Sequence, residues 1–113
     1  MSATRVYVPT TLEGLAGFVL EGGIAETAAR VEAADESEEA EYDALMAAAE
    51  TSAGLLDGPG KRVVVVAEAS DPTGVIPMRL VVAVHVDTED DAGPDADLAW
   101  YATQEIHDLL PKV

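Results

Sequence analysis

Two apolar runs dominate the hydrophobic pattern of the chain, at 62–69 and 78–86. The first reads Arg62-Val63-Val64-Val65-Val66-Ala67-Glu68-Ala69 and the second Met78-Arg79-Leu80-Val81-Val82-Ala83-Val84-His85-Val86. Both are short, rich in β-branched residues and bounded by turn formers, so they predict the central strand pair of a small sheet. The link at 70–77 carries Pro72, Gly74 and Pro77. A link that short joins antiparallel neighbours, because parallel strands need a long crossover. Alternation along the second run puts Met78, Leu80, Val82, Val84 and Val86 on one face, and Arg79, Val81, Ala83, His85 and Asp87 on the other. The first face is wholly apolar and is expected to meet helices. The second is mixed and is expected to be partly open to solvent.

Upstream, Arg5-Val6-Tyr7-Val8 alternates and predicts a first strand that stops at Pro9. Thr10 and Glu13 stand at capping-box spacing, ahead of a helix over 11–20 with the stripe Leu12, Leu15, Ala16 and Val19. Gly14 and Gly17 weaken that helix or let it approach the sheet closely, and Gly22-Gly23 ends it. Residues 24–26 suggest a short edge strand, and Thr27 can cap a short helix through Ala33. Asp35 and Glu38 mark the next start, with acids crowding the first turn. Tyr42, Leu45, Met46, Ala49, Ala53 and Leu56 then share one face of a long amphipathic helix, which Gly58-Pro59-Gly60 stops.

The closing pattern predicts a helix over 98–110, ended by Pro111. At about 100° per residue, Leu98, Ala99, Ala102, Ile106, Leu109 and Leu110 converge on one side, which must face the sheet. Trp100, Gln104 and His107 fall roughly opposite, flanked by Tyr101, Glu105 and Asp108. The chain's only tryptophan is therefore expected to point away from the core. Tryptophan is enriched among binding hot spots, so Trp100, Tyr101, Gln104, Glu105 and His107 form the candidate interaction surface. Cover by another element, making Trp100 ordinary packing, is the competing reading.

Length and composition narrow the class. With 113 residues the chain is expected to form a single α+β domain with a real core. It has no cysteine, which excludes disulfides and thiolate metal sites. The N-terminus lacks the apolar region of a signal peptide, and no stretch suits a bilayer span, so a cytoplasmic protein is expected. The formal net charge is −16, with six Lys and Arg against 22 Asp and Glu. So few cations argue against direct binding to nucleic acid or an anionic membrane. The acids are spread over several segments, which favours compositional bias over a dedicated acidic surface.

Candidate chemistry is sparse. The glycines match no phosphate loop, so no nucleotide site is read. The acidic stretch 87–97 offers oxygen ligands, but Ala92 and Leu98 stand where an EF-hand needs its turn glycine and bidentate glutamate. A solvated linker is the reading for that stretch. The carboxylates of the acidic helix, Glu39, Glu41, Asp43 and Glu50, read as a solvated face. His85, Arg79 and Tyr7 could serve an enzyme built from dispersed residues on the open sheet face, but no nucleophile is spaced to accompany them. No catalytic, cofactor-binding or metal-binding residue is assigned, and no cofactor is expected.

Several segments together resemble a family of short actinobacterial proteins of unknown function. They are Arg5-Val6-Tyr7-Val8-Pro9 with Thr11-Leu12, then Ala25-Glu26-Thr27-Ala28-Ala29-Arg30. With them go the acidic helix Glu38-Glu39-Ala40-Glu41-Tyr42-Asp43-Ala44-Leu45 and the strand Ala83-Val84-His85-Val86-Asp87. The closing stretch Trp100-Tyr101-Ala102-Thr103-Gln104-Glu105 is the most specific. The chain departs from the family in its short 70–77 and 87–97 connections, and in His107 where proline is expected. The resemblance implies an actinobacterial origin and supplies no activity. The expected fold is a mainly antiparallel sheet packed against helices, nearest to a ferredoxin-like arrangement. The expected function is non-enzymatic, through an unidentified protein partner or self-association. The alternatives are the dispersed-residue enzyme and an acidic mimic of nucleic acid.

Overall fold

The two valine-rich runs meet as expected. In the computed structural model, which describes residues 3–110, β4 (Val63–Ala69) pairs antiparallel with β6 (Val81–Val86). Around them the chain builds β1 (Thr4–Thr10), α1 (Leu12–Glu21), β2 (Gly23–Ile24), β3 (Val31–Glu32), α2 (Glu38–Leu55), β5 (Ile76–Pro77), β7 (Ala99–Ala102) and α3 (Ile106–Leu109). The main sheet has the order β3-β1-β4-β6-β7 with every neighbouring pair antiparallel, and β2 and β5 form a separate ribbon. The fold is α+β.

Alternation splits the sheet into two buried faces. Val6, Val8, Val63, Val65, Val84 and Val86 join Leu15 of α1, Ile24, Ile76 and Ile106 of α3 in the larger cluster. Tyr7, Val64, Val66 and Ala83 point the other way, onto Ala44, Ala48 and Ala49 of α2. Each fully buried valine contributes roughly 1.5–3 kcal/mol, so this double cover is the main source of stability. Helices on both faces depart from the one-sided cover of a ferredoxin-like sheet.

β1 continues through Pro9, past the expected stop. β3 pairs only with Val6 and Tyr7, so Pro9 lies where β1 is an edge and a missing N–H is tolerated. Thr10 therefore belongs to the strand, and the α1 cap moves to Thr11, whose Oγ1 accepts from the Gly14 N–H at 3.0 Å. The cap site at Gly14 sits so close to the Thr10 side chain that a Cβ there would collide, whereas Gly17 faces open space. Gly22, at φ 78°, closes the helix in the left-handed conformation.

The helix expected over 27–33 is absent; Val31–Glu32 is an edge strand instead. Arg30 explains the change. Its guanidinium donates to the carbonyls of Pro72 and Gly74, both at 2.8 Å, of Ala25 at 2.7 Å and of Ala28 at 3.2 Å. The local bonds to Ala25 and Ala28 fold 25–30 into turns, and the non-local ones to Pro72 and Gly74 fasten it to the β5 connection, together outweighing local helix propensity. The short strand expected at 24–26 appears at Gly23–Ile24, but in the ribbon with β5.

α2 begins at Ser37, whose Oγ accepts from the Ala40 N–H at 3.1 Å; Asp35 instead accepts from the Ser37 N–H at 2.7 Å. Its buried stripe is Ala44, Ala48, Ala49 and Ser52, rotated from the expected one. Small side chains let the helix approach Val64 and Val66 closely, and the larger Tyr42 and Leu55 are left more than half exposed. Ser52 joins three elements, donating to the Thr10 carbonyl at 2.6 Å and accepting from the Val63 N–H at 2.9 Å.

Two further expectations are corrected. The second run begins with a 3₁₀ turn at Met78–Leu80, so β6 starts at Val81. A bulge then pairs Val66 with Ala83 and Ala67 with Val81, skipping Val82. Val81 joins Val84 and Val86 in the core, and Val82 turns outward. The helix expected over 98–110 is instead β7, a 3₁₀ turn at Thr103–Glu105 and the single-turn α3. The free edge of β6 captures 99–102, where Trp and Tyr suit a strand. The strand end is held by the Ala102 N–H donating to Glu105 Oε1 at 3.0 Å and Thr103 Oγ1 donating to the Val81 carbonyl at 3.0 Å. Pro111, expected to end the helix, lies outside the described residues.

Candidate functional site

α2 packs over β1, β3 and β4. Beyond it, on the same sheet face, Trp100 and Val82 of the β6–β7 half stand exposed. The step down from α2 to this half-sheet makes a groove of about 420 Å³. Its floor is Tyr7, Val66 and Ala83, which lie side by side in one cross-strand row. Glu41, Tyr42 and Leu45 of α2 form one wall, Val82, His85 and Trp100 the other, and Arg5 closes an end. Register sets Trp100 directly opposite His85, close enough for the two rings to interact.

The groove is aromatic and apolar at one end. Trp100 is 60% exposed, Tyr42 54% and Val82 39%. Three large apolar side chains from three different elements thus meet around one depression. His85 is half-buried between them, and burial lowers its pKa from the ordinary 6.5, so the imidazole is neutral at pH 7. Burial likewise raises the Tyr7 phenol, with the Glu41 charge acting in the same direction, so it stays protonated.

At the other end, Arg5 donates to Glu68 Oε1 at 2.7 Å and lies 3.6 Å from Glu41 Oε2. The Glu68 hydrogen bond raises the Arg5 pKa against the opposing effect of burial, with the Glu41 charge adding to it. Two carboxylates thus face one guanidinium. Among the described residues the lining carries no serine, threonine or cysteine, so it offers a proton acceptor in His85 without a hydroxyl or thiol nucleophile of those types. Its geometry suits recognition of a surface feature bearing both apolar and polar groups.

The residues read from the sequence are only partly brought together. Trp100 points outward as expected, but from a strand. Tyr101, its neighbour, packs into the opposite core. Gln104 and Glu105 occupy the turn after β7, with Glu105 engaged at Ala102, and His107 stands exposed on α3. Of the dispersed trio, Tyr7 and His85 share the groove. Arg79 is exposed on the 3₁₀ turn outside it.

Asp87 also departs from the expectation that its stretch is solvated. Placed in the solvated linker, it is 2% exposed and forms a bidentate pair with Arg62. Arg62 Nη2 donates to Asp87 Oδ1 at 2.8 Å, and the Arg62 Nε and backbone N–H donate to Oδ2 at 2.9 and 2.8 Å. The Arg62 Nη2 also reaches the Ala96 carbonyl at 2.8 Å, tying down the loop that leads into β7. Only the isolated Arg62 at a strand start hinted at this. Among the described residues, no group of three or more His, Cys, Asp and Glu could hold a metal ion, and no helix is long and apolar enough to cross a membrane.

A family model described as a family of unknown function, DUF6912, matches residues 4–94, and the chain belongs to that family. The matched stretch includes Arg5, Tyr7, Glu41, Tyr42, Val82 and His85 of the groove and ends before Trp100. No curated protein and no solved structure matches the chain.

Proposed function

We propose that this protein is a non-enzymatic binding module that takes a protein partner in the groove between α2 and β7, with Trp100 as the anchor. The exposure of Trp100 carries this reading. A side chain that large, 60% exposed beside Tyr42 and Val82, is costly to leave in water and is the type of residue that dominates interfaces. The chain works in the cytoplasm, in keeping with its lack of cysteine and its high charge. Nucleic acid and membranes are not its partners, since its cations are too few.

Affinity capture from the native host with wild-type bait, Trp100→Ala and the control Leu20→Ala tests this. Leu20 is 88% exposed on α1, away from the groove. A protein retained by wild type and Leu20→Ala but lost with Trp100→Ala supports the reading; equal retention by all three overturns it. The neutral His85 near Tyr7 favours one second reading, a proton-transfer site for a small substrate. Arg5 is already engaged by two carboxylates, which leaves no free cation among the described lining residues to hold an anionic substrate.

A further inference from the structure

We propose that the partner segment seated in this groove is cationic, an arginine or lysine next to an apolar residue. The inference rests on the groove being a protein-binding site and names the chemistry of what enters it.

Charge complementarity selects the occupant. At its Arg5 end the groove runs on into a second depression, of about 400 Å³, whose lining shares Arg5 and Glu41 and adds Asp35, Glu36 and Glu68. Among the described residues, one guanidinium stands against four carboxylates there, so their side-chain charges leave that end negative after the Arg5 pairs form. Arg62, the buried cation among the described residues, cannot offset it, because it is paired to Asp87. Arg30 is likewise committed, to four carbonyls. At the aromatic end, the exposed Trp100 ring offers a face for a cation as well as for an apolar side chain. His85, neutral at pH 7, sets no positive charge against it.

The same charge argues against a second copy as occupant. Two chains at −16 repel, and an acidic groove would meet another acidic surface. For a cationic segment the field works in the other direction, steering approach and speeding association at low salt.

The only tryptophan of the chain lines the groove, so its fluorescence reports occupancy. The probes are three capped peptides of equal length that alternate leucine with arginine, serine or glutamate. The arginine peptide is expected to shift Trp100 emission saturably at low salt and to bind about tenfold tighter than the serine peptide, with no shift from the glutamate peptide. Glu41→Gln/Glu68→Gln is expected to bring the arginine peptide down to the serine value. Arg5→Gln, which frees those carboxylates, is expected to tighten it, and opposite signs from the two variants exclude a general loss of fold. Equal binding of the arginine and serine peptides overturns the cationic preference and leaves the groove reading standing. Binding of the arginine peptide without a change at Trp100, or no binding by any peptide, also overturns the inference. The groove reading itself is tested separately, and falls if Trp100→Ala still captures the native partner.

Discussion

Removing the buried Asp87 carboxylate is expected to destabilise the fold by several kcal/mol. The Arg62 and Asp87 side chains are only 6% and 1% exposed. In Asp87→Ala the guanidinium stays buried at the start of β4, with its hydrogen bonds to Oδ1 and Oδ2 lost and the Arg62 backbone N–H unsatisfied. Breaking a buried pair from one side costs about 3–5 kcal/mol, a large part of the 5–15 kcal/mol typical of whole domains. For a chain of this length that corresponds to a fall in Tm of about 12–20 °C. Urea denaturation followed by circular dichroism measures it. Arg62→Leu/Asp87→Leu is expected to recover part of the loss, because apolar replacement removes both charges from the interior. A loss in Asp87→Ala below about 1 kcal/mol, the range of exposed pairs, refutes the reasoning.

Two other predictions concern charge. Because burial lowers the His85 pKa from 6.5, the unfolded chain binds more protons than the folded one as pH falls through and below 6.5. Stability from this group is therefore full at higher pH and is lost on acidification. The stability of His85→Gln relative to wild type is expected to be flat above about pH 7 and to improve steadily below it; a gap independent of pH contradicts this. Taking the difference cancels the titration of the carboxylates. With 22 acids against six Lys and Arg, thermal midpoints are expected to rise as NaCl increases from about 0.01 M to 0.15 M, where the Debye length shrinks from roughly 30 to 8 Å. An unchanged or lower midpoint contradicts that.

What could be read in the sequence was whatever local periodicity controls. The valine runs became β4 and β6, and Leu12, Leu15 and Val19 face the core as their spacing requires. What could not be read depends on distant partners. Arg30 turns a plausible helix into loop and edge strand by bonding carbonyls 42 and 44 residues away. The 98–110 stretch carries a helical stripe, yet the unpaired edge of β6 wins its first half. The buried α2 face differs from the expected stripe because alanines, not the larger residues, mark close packing on a sheet. For the groove, the outward Trp100 was legible, though on the wrong element. Tyr42 and Val82 were not, because their exposure follows from the rotation of α2 and from the bulge at Val82, neither of which leaves a periodic trace.

The most direct measurement is Trp100→Ala, with unfolding free energy and affinity for the captured partner determined on the same preparations. An exposed anchor predicts a stability change within about 1 kcal/mol of wild type and an affinity loss of at least about 30-fold, the scale of a hot spot. A stability loss of about 3–5 kcal/mol, as for a buried tryptophan, or an unchanged affinity, contradicts the account.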